Sequence, residues 1–461
     1  MLQHTPMALP DILSVSTGIL LLLFAGWVVV VSIRESEPRA AAISLTFGVI
    51  AATPFLLGGF LFPGLHNLLL PGLLLIFMLI VFLPRGQLQS GETPTQRIDE
   101  RDTMFSRQEL RQGTPRYEQY YLRHPQLQVR DDAMRELPGL LAPDSSQFDS
   151  LLFSASHRFG EKVKSIRADI DGTVADQKSV IKTSDALTQL TAQARRGGAV
   201  ASGSTPLRDY HFYSVGGRAE RYDKKIVPSH THAFVVAVEM EREMVLAAPG
   251  AGAVYESHRC YLQVGQLAVD LAESIRQLGY SARAHIDGNY QLVCPLVARD
   301  AGLGDIGRMG LLMLPRLGPR VRLAVVTTDL SLPATSEPAA AGVIEFCKLC
   351  QKCATACPAS AIPPEDQSEV AGVKRWQINS EACYDLWCRL GTDCGRCLSV
   401  CPWSHPDNLL HNLIRSGVKH FPVFRRLAVW LDDLLYGRTP PTRTLPSDIY
   451  RRIQSEQDEE S

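Results

Sequence analysis

With 461 residues, 45% of them hydrophobic, the chain is long enough for several packed units, and disordered, collagenous and mini-protein classes are excluded. Forty-seven Lys and Arg stand against 48 Asp and Glu with no long basic run, which excludes nucleic-acid binding through bulk charge. Of 11 Cys, nine fall between Cys347 and Cys401, a crowding that reads as metal ligation and excludes a secreted disulfide scaffold.

Residues 12 to 33 are 22 consecutive positions without a charge, and a hydrocarbon core needs about 20 in a helix. They predict a membrane span. A signal peptide would have a shorter apolar run after a basic segment, and residues 1 to 11 hold no Lys or Arg. Residues 40 to 84 are also free of formal charge and are broken by Pro63, Gly64, His66 and Asn67, which predicts two further spans near 41 to 61 and 68 to 84. His66 reads as an interfacial turn residue rather than a haem ligand. Arg34 and Arg39 in the first loop, with Arg85, Arg97 and Arg101 after the third span, put the long C-terminal portion on the cytoplasmic side of a multi-pass inner-membrane protein.

Residues 86 to 145 read as a polar linker and irregular lead-in. From about 146 the chain becomes globular. The β-branched run at 233 to 238 predicts a buried strand, and Val264, Leu267, Ala268, Leu271, Ile275 and Leu278 predict a helix ended by Gly279. A second strand is predicted at 322 to 327, so strands alternating with helices give an α/β domain over 146 to 340. Gly302, Gly304 and Gly307 match a dinucleotide fingerprint, but Gly310, Pro315 and Pro319 leave no room for the long helix that site requires.

Cys347, Cys350, Cys353 and Cys357, followed by Pro358, form the C-x2-C-x2-C-x3-C-P run of bacterial ferredoxins, in which three thiolates hold one cluster and the fourth reaches the other. Cys394, Cys397 and Cys401 with Pro402 form a second half, so Cys401 is expected to complete the first cluster and Cys357 the second. Position 391, where the second half should begin, is Gly391. Either Cys383 or Cys388 must supply the missing ligand, and Cys383 is favoured. Two such runs outweigh structural zinc, and predict a two-[4Fe-4S] ferredoxin domain over 341 to 406. Residues 407 to 461 read as an extension with a disordered acidic tail.

Together with IRQLGYSARAHIDGN (275 to 289), ARDAGLGDIGRMGLLMLPRLGPRVR (298 to 322), TTDLSL (327 to 332), CPWSHP (401 to 406) and LDDLLYGR (431 to 438), these runs resemble the reductive dehalogenase family, itself similar to epoxyqueuosine reductases. The resemblance covers roughly 145 to 440 and excludes the membrane segment. It implies a nitroreductase-like α/β (α+β) domain holding a base-off corrinoid (cobalamin), consistent with the lack of a D-x-H-x-x-G motif, and a glycine-rich turn (Gly302, Gly304, Gly307) bordering it. It also implies a Tyr that protonates the carbon losing halide, and an Arg and an Asn that polarise the site. These map to Tyr261, with Tyr255 as competitor, to Arg322 of the GPRVR turn, and to Asn289 if a two-residue shift is allowed; Asp287 otherwise occupies that place. Arg322 is expected to draw the phenol pKa down towards the working pH.

The expected function is a membrane-anchored, corrinoid- and iron–sulfur-dependent oxidoreductase acting on a small molecule, an organohalide by resemblance. Its electrons would come from outside the chain, from a soluble ferredoxin or a membrane donor. Rival readings are a membrane-anchored electron carrier without corrinoid, a corrinoid sensor, and an epoxyqueuosine-reductase-like enzyme. The electron carrier leaves some 200 residues before Cys347 unused, and the last would need a basic face for tRNA.

Overall fold

The computed structural model describes residues 9–61, 71, 72, 75, 88, 90–335, 342–370 and 372–460. The third predicted span lies almost wholly outside the described residues, as does His66. The chain divides into two compact units, Met1–Gln87 with Asn408–Pro440, and Leu88–Asp407 with Pro441–Ser461.

In the first unit, helices Leu9–Arg34 and Pro38–Leu61 form an antiparallel hairpin, and both hold stretches long and apolar enough to cross a membrane. Small residues let the two backbones approach: a Cβ on Gly48 would overlap that of Ala25, and one on Gly18 would come within 2.6 Å of Leu56. Ser14 Oγ satisfies itself on the Phe55 carbonyl at 2.9 Å, as an apolar surrounding demands. Two shorter helices, Leu409–His420 and Pro422–Tyr436, complete this unit.

The second unit is built on a four-stranded sheet in the order β1 (Ala201–Pro206), β2 (His232–Glu239), β6 (Val321–Thr328) and β3 (Ala282–His285). Every pairing is antiparallel. The architecture is therefore α+β, the second of the two forms expected of this domain. Strand alternation divides β2 between two cores. Phe234, Val236 and Val238 pack with Val264, Leu271 and Ile275 of the Ala251–Gln277 helix. Ala233, Val235 and Ala237 face Leu292, Val297 and Ala298. Each of the larger buried side chains contributes about 1.5–3 kcal/mol. The long helix ends at Leu278, and Gly279 follows with φ +84°, the left-handed stop the sequence predicts.

Two expectations fail here. Residues 86 to 145 are not irregular: helices Pro115–Arg123 and Pro125–Arg135 are anchored by buried Tyr117, Tyr120 and Tyr121, with Tyr121 donating to buried Asp131, which also pairs with Arg107. Polar composition hid this packing because its core is made of tyrosines with satisfied hydroxyls. The acidic tail is likewise helical over Ser447–Glu460, held by Ile449 and Ile453 buried against Leu152, Phe153 and Met244. Two apolar residues four apart were enough to seat it.

Candidate active site

Two segments far apart in sequence converge on Arg322 of β6. Its Nη2 donates to Asp393 Oδ2 at 3.0 Å, its Nε donates to Ser257 Oγ at 3.1 Å, and its guanidinium carbon sits 5.0 Å from the centroid of the Tyr261 ring. Ser257 and Tyr261 are four apart on the Ala251–Gln277 helix, so one face presents both. A planar cation suits the arrangement, because it donates in its plane while its face covers an aromatic ring. Arg320, the other arginine of the same turn, is spent on the scaffold: it donates to Ser404 O at 2.9 Å, Met240 O at 2.8 Å and Glu239 Oε1 at 2.9 Å.

The Tyr261 phenol is pushed up to about 12. Burial is the largest cause, Arg322 opposes it, and Asp287 and Asp393 add to the rise. Arg322 thus acts in the expected direction, but burial outweighs it and the pKa rises rather than falls. For Arg322 burial works against the charge, while Tyr261 and Asp393 more than restore it and raise its pKa. The pair is a cation beside a firmly protonated phenol. Tyr255 is elsewhere, edge-on to Phe159 at 5.4 Å in the core that seats the C-terminal helix.

Asn289 is buried, and its Oδ1 accepts from Arg283 Nη2 at 2.9 Å and Arg221 Nη1 at 3.1 Å. Its side-chain oxygen therefore ties two arginines together. Asp287 is the residue whose charge reaches Tyr261, Tyr290 and Cys294, raising the pKa of each after burial. Tyr290 and Cys294 escaped the sequence reading because the turn after β3 has no periodicity to say which way they point. The glycine-rich turn serves the fold. Gly302 has φ +78°, a Cβ on Gly304 would collide with the Met313 carbonyl, and one on Gly307 would lie 2.9 Å from Met313 Cγ and 3.6 Å from Cys347 Sγ. These contacts close the hairpin of β4 (Asp305–Ile306) and β5 (Leu312–Met313). A strand, not a helix, follows the turn, so the dinucleotide fingerprint has no structural basis.

The cysteines fall into two groups. The buried Cys401 thiol has its pKa raised by burial and then by Cys347, Cys350 and Cys353, while Cys383 responds, after burial, to Cys394 and Cys357. Cys397 responds, after burial, first to Cys353 and then to Cys394, Cys383 and Cys357, so it lies between the two groups. Cys388 lies instead in an apolar cluster with Met104, Met134 and Tyr384. Gly391 explains the irregular spacing. It ends the Ser380–Leu390 helix with φ +77°, and a Cβ there would strike Ser145 Oγ, so no cysteine fits at that position. Closely spaced thiols in such surroundings suit iron–sulfur ligation. Sequence reading missed Arg308, fully buried beside the first group, whose Nε and Nη2 donate to Cys347 O at 3.1 and 3.0 Å while its face covers Trp376 at 4.8 Å.

Around Arg322 and Asn289, buried Asp393 Oδ1, Arg221 Nε and Arg283 Nε have no hydrogen-bond partner among the described residues. Unmatched donors and an unmatched acceptor around one site suit a ligand rimmed by amides, which offers both NH2 and C=O groups, as a corrinoid does. The residues present therefore fit that group.

A 4Fe-4S dicluster domain family matches residues 346–404. The chain is 36% identical over 211 residues to the tetrachloroethene reductive dehalogenase of Desulfitobacterium hafniense, covering 43% of this chain and 38% of that protein. It is 33% identical over 227 residues to the tetrachloroethene reductive dehalogenase of Sulfurospirillum multivorans, covering 47% and 45%. The chain thus spans less than half the length of these curated relatives. A catabolic reductive dehalogenase solved in complex with 3-bromo-4-hydroxybenzoic acid shares the fold, with TM-score 0.63 at 21% identity over 80% of this chain and 54% of that one. Over 211 residues the chain is thus similar to the reductive dehalogenases, whose fold it shares, and its residues 346–404 match the 4Fe-4S dicluster domain family.

Proposed function

We propose that this chain is a membrane-anchored, corrinoid- and iron–sulfur-dependent reductase that replaces carbon–halogen with carbon–hydrogen in an organohalide. The observation that carries this reading is the stack of Arg322 on Tyr261, with Asp393 holding the guanidinium one residue from Cys394. An acid, a fixed cation and an electron entry point are thereby joined through three side chains.

The net reaction takes two electrons and one proton, and releases halide. Cys347, Cys350, Cys353 and Cys401 would hold one [4Fe-4S] cluster, and Cys357, Cys383, Cys394 and Cys397 the other. A bound corrinoid supplies the low-valent cobalt chemistry that breaks the carbon–halogen bond, and the protein supplies the rest. Tyr261 holds a proton at its phenol oxygen and gives it to the carbon as halide departs. Arg322 stabilises the phenolate left behind, and Asp393 and Ser257 keep its plane over the ring. The buried surroundings exclude water, so the carbon takes its proton from the phenol.

The membrane anchor rests on the apolar stretches of the N-terminal hairpin. Arg34 and Arg39 at its turn, with Arg85, Arg97 and Arg101 further on, support a cytoplasmic side for that turn and for the long C-terminal portion by the Lys/Arg rule. A reporter active only in the periplasm, fused after Ser461, is expected to be silent; activity there reverses the topology. Metal and cofactor analysis of anaerobically purified protein tests the chemistry. About one cobalt and about eight iron per chain are expected, with turnover of an organohalide under a low-potential donor. Iron without cobalt would make the chain an electron carrier, and cobalt without turnover of any organohalide a sensor.

A further inference from the structure

The two shorter helices of the first unit have a side that no described residue covers. On Leu409–His420 the exposed apolar residues are Leu409 and Leu413, four apart. On Pro422–Tyr436 they are Val423, Leu427 and Trp430, at the i, i+4, i+7 spacing of a single stripe. Leu409 is 65% exposed, Val423 63% and Trp430 55%, high values for side chains of this size. The opposite sides are buried through Val418, Arg425 and Ala428, with Arg425 Nε donating to Val418 O at 2.9 Å, so the two helices brace each other and leave the apolar stripes outward.

Their place in the unit identifies what would cover them. Both are fastened to the turn between the apolar helices. Glu35, at the end of the first, accepts from Asn408 Nδ2 at 2.7 Å and from His411 Nε2 at 3.1 Å. Arg39, at the start of the second, donates through Nε to Leu434 O at 3.1 Å. If the hairpin spans the bilayer, its turn marks one membrane surface, and helices tied to the turn lie at the depth of the headgroups. Their charge suits that depth: residues 408 to 440 contain five Lys and Arg against two Asp, in a chain whose overall formal charge is -1. Lys419 and Arg426 are exposed beside the stripes, and an exposed Trp is the side chain most at home in an interface.

We propose that Leu409–His420 and Pro422–Tyr436 lie in the plane of the cytoplasmic membrane surface, with Leu409, Leu413, Val423, Leu427 and Trp430 sunk among the upper acyl chains and Lys419 and Arg426 against anionic headgroups. The inference rests on the membrane-anchor reading above and adds a function to the segment after the cysteine runs. Spans fix the protein to the bilayer, whereas an in-plane pair also fixes its tilt and depth.

The test uses the full chain reconstituted in phosphatidylcholine vesicles containing phosphatidylglycerol. Resistance to extraction at alkaline pH reads the anchor alone, and extraction would end the anchor reading. In vesicles whose lipids are brominated high on the acyl chain, the Trp430 emission, taken as wild type minus Trp430→Phe, is expected to be mostly lost. It should be less affected when the bromines sit near the chain end. The Trp27 emission, read the same way from Trp27→Phe, reports the span. Quenching of Trp27 with Trp430 untouched by bromolipid overturns the in-plane placement while leaving the anchor intact. Burial of Trp430 that appears only as protein concentration rises would assign the stripes to a second copy of the chain and overturns it equally.

Discussion

Tyr261→Phe is expected to lower organohalide turnover by on the order of 10²- to 10⁴-fold, the range for a positioned general acid, while cobalt and iron contents stay at wild-type values. The change removes only the hydroxyl and keeps the ring under Arg322. Tyr261 works in its protonated form, and with its phenol at about 12 the proton is lost only as pH rises towards that value. Turnover should therefore show no break near neutrality from this group. Arg322→Lys keeps the charge but loses the plane that lies over the ring, so it should cost less activity than Arg322→Ala. Tyr255→Phe should leave turnover near wild type, since Tyr255 packs on Phe159. If Tyr255→Phe abolishes activity and Tyr261→Phe spares it, the assignment of the acid is wrong.

Cys383→Ala is expected to remove one iron from the second cluster and leave a three-iron form with its own electron paramagnetic resonance signal, while the first cluster keeps its spectrum. The expectation follows from Cys383 sharing its surroundings with Cys357, Cys394 and Cys397. Electron delivery through the damaged cluster should fall, and turnover with it. Cys388→Ala removes a thiol from an apolar cluster with Met104 and Met134 and should change stability without changing the iron count. A three-iron signal in Cys388→Ala, with Cys383→Ala silent, would exchange the two roles.

Much was legible from local pattern. The apolar stretches, the strands around Val235 and Val325 and the helix ending at Gly279 each carry their signal within one element, because burial on one face sets a period of 2 or 3.6. The cysteine runs are legible for a different reason, since a cubane accepts few spacings. The kinship with reductive dehalogenases followed from those runs together with the stretches between Ile275 and Arg322.

What only the tertiary structure decided depends on residues distant in sequence. Asp393 on Arg322 joins β6 to the loop before Cys394, a contact 71 residues apart that no period encodes. The direction of the Tyr261 pKa depended on how much protein surrounds the phenol, and burial outweighed the neighbouring cation. The partners of the Asn289 oxygen, Arg221 and Arg283, come from 68 and 6 residues away in sequence. The helices around Tyr120 and Ile453 form because partners from elsewhere in the chain bury a few side chains of otherwise polar segments. Composition and spacing determined the principal elements and the cysteine runs the chain carries; the side-chain contacts between elements decided which polar groups meet, because desolvation and hydrogen-bond geometry are properties of the packed neighbourhood and not of the residue.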